Sequence, residues 1–186
     1  MRMVKQLSTV VAALAVLATS SLEVRAQAAT GQVGMGYSDI AAVVGLGGIG
    51  EASIALGGRY EKIIKSLPDM NDGLLGLRIG ADWYSFSVSA GGESYSWSYI
   101  PISGSVNYHF KMENKKFDPF VGAGLGFYIV SEPSGYPGSA FNSGLYFIGV
   151  IGMRYFLSEK MAFYADAGAG AGALHVGLSW KLGGGS

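Results

Sequence analysis

The sequence contains no cysteine among its 186 residues, so it can form neither a disulfide framework nor a thiol-based site. Charged residues are also scarce, since they make up 14% of the chain, against about 25% in a typical soluble domain. Basic and acidic residues balance at 13 each, and this balance suggests neither a nucleic-acid partner nor an acidic polymer. A chain so poor in charge would have difficulty keeping its whole surface solvated.

Long apolar runs are missing as well. The short run at residues 10–18 follows a positively charged start with Arg2 and Lys5, and the small residues Ala26 and Ala28 come after it. This pattern predicts a cleaved secretory signal peptide over residues 1–28, because the run is too short to cross a bilayer as a helix. No later window is continuously apolar over the ~18 residues that a spanning helix needs.

Glycine and alternating residues are what the sequence has in abundance. Glycine accounts for 30 of the 186 residues, and apolar and polar residues alternate with period 2 between turn-forming residues from residue 31 onward. Such alternation predicts β-strands. We expect eight strands, at about residues 32–44, 52–64, 74–88, 95–112, 117–130, 142–156, 161–168 and 174–182.

The fold class that fits these features is an all-β, eight-stranded antiparallel up-and-down transmembrane β-barrel. We expect it over residues 29–182, with residues 183–186 as a Gly/Ser tail, because a charge-poor chain without a membrane helix can cross a bilayer only as a closed barrel. A soluble lipocalin-like carrier, whose apolar face surrounds a ligand, is the alternative. The non-apolar face favours the membrane barrel, since Gly, Ala, Ser and Asn suit a narrow lumen better than a water-facing surface.

Charged residues on that second face predict a salt-bridged and hydrogen-bonded network that plugs the lumen. An eight-stranded wall leaves room only for side chains, and a buried charge is tolerated only when it is paired. The predicted lumen network consists of Arg59, Glu61, Arg78, Asp82, His109, Asp118, Arg154, Asp166, His175 and Lys181.

An even number of strands places both ends of the barrel wall on the same side of the membrane. The connections between strands then divide into a periplasmic set and an exterior set. With periplasmic termini, the turns near residues 68–72, 113–116 and 158–160 are periplasmic. The loops near residues 45–50, 90–94, 131–140 and 169–173 then face the exterior, where they are the candidate site for an extracellular ligand. The aromatic and serine-rich segment at residues 95–99 is the best candidate for a contact surface near the outer rim, with a membrane-interface girdle as the simpler interpretation.

Two segments resemble a known family. Residues 117–126, FDPFVGAGLG, are similar to the P-[FY]-V-G-[AG]-G-[LV]-G strand of the small outer-membrane β-barrel superfamily, which includes the transmembrane domain of outer-membrane protein A and its eight-stranded relatives. The pattern of His175, Gly177, Trp180 and Leu182 resembles the signal that the barrel-assembly machinery reads, although relatives typically end on an aromatic residue where this chain has Leu182. The resemblance implies a monomer in the outer membrane of a Gram-negative bacterium, with outer-membrane lipid and the assembly machinery as partners.

No catalytic, cofactor or metal site is predicted. A Ser–His–acid site needs a histidine within hydrogen-bonding reach of a serine, yet Ser105 and Ser179 each lie four residues from the histidine on their face, about 13 Å along a strand. Two histidines without cysteine argue against a transition-metal site. We therefore expect a structural or surface-interaction protein, with a narrow small-solute channel as the alternative. A lipid-modifying enzyme, known among barrels of this class, and a soluble carrier are less favoured.

Overall fold

The computed structural model describes residues 33–47, 54–90, 93–131, 143–169 and 174–184. These residues form a closed barrel in which each strand pairs antiparallel with its neighbour in the chain and β1 pairs with β8. The strands are β1 Ser38–Leu46, β2 Ile54–Leu67, β3 Gly73–Ala90, β4 Glu93–His109, β5 Phe117–Ser131, β6 Gly144–Phe156, β7 Met161–Ala169 and β8 Leu174–Gly183. The predicted eight-stranded antiparallel barrel is therefore confirmed.

The largest difference from the predicted strands is at the start of β1. That strand begins at Ser38, because a turn precedes it: the Tyr37 backbone N–H donates to the carbonyl of Gly34 at 3.0 Å. Gly36 in this turn has a φ of 75°, which a residue with a side chain adopts only with strain. At the other end of the chain Gly183, which we expected in the tail, is the last residue of β8.

The pairing of β1 with β8 closes the sheet and removes both of its edges. Ile40 lies opposite Trp180, and the ladder runs on to Leu46 opposite Leu174. Gly177 is required at this seam, because a Cβ on it would lie 1.9 Å from the carbonyl oxygen of Ala42. Closure satisfies the strand-edge backbone groups without water, which is the condition for a β-structure inside a bilayer.

The apolar face of the barrel points outward and the polar face points inward. Leu77, Ile79 and Trp83 on β3 are 47%, 62% and 49% exposed, whereas Arg78 and Asp82 between them are buried. This arrangement is the reverse of a soluble carrier barrel. No described residue belongs to a helix long and apolar enough to cross a membrane.

The two ends of the barrel differ. The turn end carries the start of β1, the end of β8 and three short connections, at residues 68–72, 110–116 and 157–160. At the loop end the connections between strands include residues 48–53, 91–92, 132–142 and 170–173, which lie outside the described residues, as does the predicted signal peptide at residues 1–28. Every lysine after residue 33 belongs to the turn end: Lys62, Lys65, Lys111, Lys115, Lys116, Lys160 and Lys181.

The prediction that residues 95–99 form a contact surface is wrong for the aromatic side chains of Trp97 and Tyr99. Trp97 and Tyr99 are 1% and 4% exposed and point into the barrel. The reason is strand parity, because the odd residues of β4 share the inner face with Asn107 and His109. Ser96 and Ser98 take the outward positions, so the girdle interpretation is wrong for these rings as well.

A charge placed on the outward face should destabilise the barrel only within the apolar band. On β3 this band extends from Leu75 to Trp83 and then gives way to Ser85 and Ser87, a height of roughly 20 Å for a tilted strand. Ile79→Lys should lower the free energy of unfolding by about 2–4 kcal/mol, measured by urea titration in phospholipid vesicles. The matched control, Ser87→Lys on the same face, should be nearly neutral; equal effects at the two positions would contradict the assignment of the lipid-facing band.

Candidate functional site

The charged residues of the lumen form two clusters, and the first is centred on Arg154 of β6. Its Nε donates to Asp39 Oδ2 at 2.7 Å, its Nη1 to Asp118 Oδ2 at 2.8 Å, and its Nη2 to Glu61 Oε2. The strand register places these groups together, because Asp118 lies directly opposite Arg154 and Asp39 lies directly opposite Glu61. One guanidinium that is 1% exposed is thus surrounded by three carboxylates from three other strands.

His109 joins two of those carboxylates. Its Nδ1 lies 2.9 Å from Asp118 Oδ1 and its Nε2 lies 3.0 Å from Glu61 Oε1. Asn107, two residues earlier on the same face of β4, donates to Glu61 Oε1 at 2.7 Å. The Phe120 ring completes the cluster, with its centroid 5.4 Å from Arg154 Cζ, a distance at which a cation and an aromatic face attract each other.

The second cluster lies nearer the loop end and begins with a two-pronged ion pair. Arg59 donates from Nη1 to Asp82 Oδ1 at 2.9 Å and from Nη2 to Asp82 Oδ2 at 3.0 Å. This geometry is the strongest form of an arginine–carboxylate pair. It needs a glycine beside it, since a Cβ at Gly57 would lie 1.9 Å from Asp82 Oδ1.

Arg78 carries the second cluster across the lumen. From β3 its Nη1 donates to Tyr164 Oη at 2.7 Å and to Asp166 Oδ2 at 3.2 Å, both on β7. His175 Nδ1 lies 2.7 Å from Asp166 Oδ1, and its Nε2 is 3.8 Å from Asp82 Oδ1. Because β3 and β7 are on opposite walls of the barrel, this chain of contacts spans the full width of the lumen.

The charges of the two clusters add up to a balanced set. Three guanidiniums and two imidazoles face five carboxylates, so the set is neutral when both histidine rings are in the imidazolium form. Neutrality matters here because an unpaired charge in a low-dielectric interior costs several kcal/mol. Nine of the ten residues predicted for the lumen network thus contact at least one oppositely charged or imidazole partner within these two clusters.

The tenth predicted residue, Lys181, is placed differently. It is half-buried near the end of β8, where its Nζ lies 5.8 Å from the centroid of the Tyr37 ring. Sequence reasoning also missed Asp39 and Tyr37, which contact each other at 3.2 Å inside the lumen. In the sequence Asp39 stands out as a lone charge among the apolar residues of the first strand. It is two residues before Ala41 and four before Val43, so the alternation of the strand places all three side chains on the inner face.

Buried aromatic and aliphatic side chains lie above and below the charges in the barrel. Toward the loop end Tyr84 and Tyr99 are buried with Ala55, and the Phe86 ring stacks on Trp97 with centroids 5.6 Å apart. At the turn end Tyr37, Ile63, Phe156 and Ala162 form a buried layer. The charged clusters therefore lie between two layers of buried side chains.

The lumen geometry offers little for catalysis or metal binding. In the described part of the chain Ser105 Oγ contacts Arg78 and Asn107, while neither histidine hydrogen-bonds to a serine. Ser179 Oγ, on the face of His175, has no hydrogen-bond partner there. Within the same residues no three His, Asp or Glu side chains are grouped so that they could hold a metal ion.

The four residues predicted as an assembly signal all lie on β8, but they do not share one environment. His175 is buried in the lumen and Gly177 packs against the backbone of β1. Leu182 is 58% exposed on the outward face, and Trp180 lies on the same face, opposite Ile40.

Comparison with known proteins identifies relatives of the same architecture. A family model described as outer membrane protein beta-barrel domain matches residues 9–174. The outer membrane protein OprG from Pseudomonas aeruginosa has a TM-score of 0.58 at 14% identity, over 84% of this chain and all of that chain. The attachment invasion locus protein Ail of Yersinia pestis, solved with the heparin analogue sucrose octasulfate, has a TM-score of 0.53 at 12% identity, over 80% of this chain and all of that one.

A de novo designed transmembrane β-barrel is similar to the same degree, with a TM-score of 0.53, 14% identity and coverage of 81% of this chain and 99% of that chain. No curated protein sequence matches the chain. At these identities the solved structures show that the fold is shared.

Removal of the Arg154 guanidinium should destabilise the barrel far more than removal of an exposed cation. Arg154→Met leaves three carboxylates without their shared partner, and we expect a loss of about 3–5 kcal/mol in the free energy of unfolding. Lys111→Met is the matched control, because its pair with Asp72 at 2.7 Å is exposed and should contribute less than about 1 kcal/mol. Urea titrations in vesicles measure both, and Glu61→Gln in the Arg154→Met background should recover part of the loss.

Proposed function

The chain belongs to the outer membrane protein beta-barrel domain family and lies in the bacterial outer membrane, and on this premise we propose that it is a monomeric structural or surface-interaction protein with a closed lumen. In this proposal the barrel itself transports nothing. Its rigid wall holds the loops at the cell surface, and those loops make the contacts with molecules outside.

The contact of Arg78 with Tyr164 and Asp166 is the main observation in support of a closed lumen. It joins opposite walls at 2.7 and 3.2 Å and so supports a lumen that is closed at this level. The cavity next to it, bordered by Arg59, Asp82 and His175, has a volume of about 30 Å³. Such a cavity holds one or two water molecules and no solute.

Export and assembly complete the proposal. The basic and apolar pattern of residues 1–28 supports removal of a signal peptide during export. The proposal also includes recognition of β8 by the barrel-assembly machinery, and it is supported by the pattern of His175, Gly177, Trp180 and Leu182 on this strand.

Assembly of a variant in which Trp180 and Leu182 are replaced by serine should be slower, and an unchanged rate would contradict the assigned signal.

The charge of the exterior loops limits which kinds of ligand they can bind. The connections at residues 47–53, 90–94, 131–142 and 169–173 contain Glu51, Glu93 and Glu132 and neither lysine nor arginine. Ail was solved with a polyanionic heparin analogue, but loops of this negative charge would repel a polyanion. We therefore propose a neutral or cationic ligand for this chain; retention of the protein on immobilised heparin at physiological ionic strength would contradict that choice.

An enzymatic role finds no support in the lumen. Both histidines face carboxylates without a serine nucleophile, so we propose that the protein is not a lipid-modifying enzyme. His109→Ala should leave the lipid A profile of expressing cells unchanged. A change that depends on His109 would restore the enzyme hypothesis.

Electrical recording in planar bilayers tests the closed lumen against a narrow channel. The purified protein should produce no stable single-channel steps, because in this proposal the contact of Arg78 with Tyr164 and Asp166 and the stacked rings of Phe86 and Trp97 block the lumen. Heat-modifiable migration on a gel first shows that the sample is folded. Vesicles that contain it should likewise not swell in small sugars or amino acids. An open porin in the same bilayer is the positive control, and reproducible steps from the folded protein would favour the channel.

A further inference from the structure

One ring nitrogen of His175 is buried in the lumen without a hydrogen-bond partner. His175 is 6% exposed and its Nδ1 contacts Asp166, but its Nε2 is bonded to no atom in the described part of the chain. Asp82 Oδ1 lies 3.8 Å from Nε2, which is too far for a hydrogen bond. Buried polar atoms in native proteins are nearly always bonded, either to the chain or to a bound species. The position of Nε2 therefore points to a small bound species.

His175 borders a cavity of about 30 Å³ together with Arg59, Arg78, Asp82 and Asp166, and we call this space the His175 cavity. Within the described residues each arginine also has one nitrogen without an acceptor, Nε of Arg59 and Nη2 of Arg78. The carboxylates are occupied, because both oxygens of Asp82 accept from Arg59 and the oxygens of Asp166 contact Arg78 and His175. The groups that remain around the cavity are nitrogens, which suit an electron-rich ligand.

The His175 cavity lies toward the loop end of the barrel. Its border on that side consists of Tyr146 and Ile148 of β6 and of Gly168 and Ala169, the last two residues of β7. The cavity has the volume of one or two water molecules, which excludes sugars and amino acids. A monatomic anion such as chloride takes up little more space than one water molecule, so it can replace a water here without any passage through the lumen.

The charges of the two lumen clusters favour an anion over a neutral ligand. When both histidines are in the imidazolium form, the second cluster has three cations against Asp82 and Asp166, whereas the first has three carboxylates against Arg154 and His109. No ion pair among the described residues joins one cluster to the other. The second cluster therefore has an excess of positive charge when His175 is protonated, and unbalanced charge is costly in a low-dielectric interior.

We propose that the His175 cavity binds one halide ion, chloride under physiological conditions, and that His175 takes up a proton together with it. While His175 is neutral, the second cluster is balanced and the cavity holds water. Once His175 is protonated, the anion accepts hydrogen bonds from its Nε2–H and from the remaining N–H groups of Arg59 and Arg78. One proton and one anion enter together, so the net charge of the barrel is unchanged. This site goes beyond the proposed function and does not depend on whether the lumen conducts.

The surroundings of His175 identify it as the group that takes up the proton. On the β1 side the ring packs against Gly45, where a Cβ would lie 3.0 Å from His175 Cδ2. Between about pH 5 and about pH 8 histidine is the side chain whose charge ordinarily changes. The other charged and titratable groups that face the ring are Asp166 and Tyr164 on β7, Asp82 and Arg78 on β3, Arg59 on β2 and Tyr146 on β6.

Urea unfolding in two salts tests the link between halide and proton. The folded protein in phosphatidylcholine vesicles is titrated in sodium chloride and in sodium gluconate of equal ionic strength, at about pH 5.5 and at about pH 8; gluconate is too large for the cavity. We expect chloride to raise the urea midpoint at the lower pH and to have no effect at the higher one. Over the range in which His175 is neutral, the apparent chloride affinity should fall about tenfold for each pH unit, because one proton accompanies each ion.

Two histidine variants show whether the effect belongs to this cavity. His175→Gln removes the ring that is protonated and should abolish the difference between chloride and gluconate at both pH values. His109→Gln is the matched control, because both ring nitrogens of His109 already contact carboxylates, at 2.9 Å from Asp118 and 3.0 Å from Glu61. It should keep the chloride effect even where its stability is lower. Equal chloride effects in the two variants would show a general salt effect and overturn the site.

Anomalous scattering from bromide locates the ion in the unmodified protein. Crystals soaked in sodium bromide at about pH 5.5 should show an anomalous peak between His175 Nε2 and the guanidiniums of Arg59 and Arg78, and the peak should be weaker or absent at about pH 8. Density for water alone at the lower pH, or no chloride effect on the unfolding of the parent protein, would overturn the halide site. Peaks of equal height at both pH values would overturn the link to the proton.

Discussion

The small cross-section of an eight-stranded barrel is the constraint on which the other features of this protein depend. Such a wall encloses only enough space for its own side chains, so each inward residue must find its partner inside the barrel. Arg154 shows how the sequence meets this demand. It contacts Asp39, Glu61 and Asp118 from three strands, so that one buried cation on β6 is linked to β1, β2 and β5 at once.

The same constraint explains the glycine content. Several inner-face glycines lie where a neighbouring side chain crosses the strand: a Cβ at Gly122 would lie 2.0 Å from Asn107 Oδ1, and one at Gly152 would lie 2.4 Å from the Phe120 ring. These glycines do more than leave positions on the inner face without a side chain. They provide the volume into which long polar and aromatic side chains fold, which is why a lumen of this width can hold three arginines and a tryptophan.

Strand parity made most of the fold predictable from the sequence. The uninterrupted alternation of β8 and the pattern of β5 defined the outward face, and the charges between those apolar positions fell inside the barrel as expected. What parity alone could not supply was the pairing across the lumen. Arg78 and Asp166 are 88 residues apart in sequence, and their contact depends on the shear and radius of the closed barrel. Trp97 and Tyr99 were misplaced for a related reason, because an aromatic-rich segment near a rim has the same composition whether its rings face lipid or the lumen.

The distribution of charge follows from the chemistry of the side chains and the membrane together. Arginine suits the lumen because its guanidinium can bind one carboxylate through two N–H groups, as Arg59 does, or contact three carboxylates at once, as Arg154 does. Lysine, a point charge on a flexible stem, suits a boundary where the partner is mobile. In the orientation that the short turns indicate, the seven lysines after residue 33 lie on the periplasmic side, and the connections on the exterior side contain glutamates without lysine or arginine. The two kinds of cation are therefore separated, since the arginines are fixed by carboxylates inside the wall while the lysines lie at one rim of it.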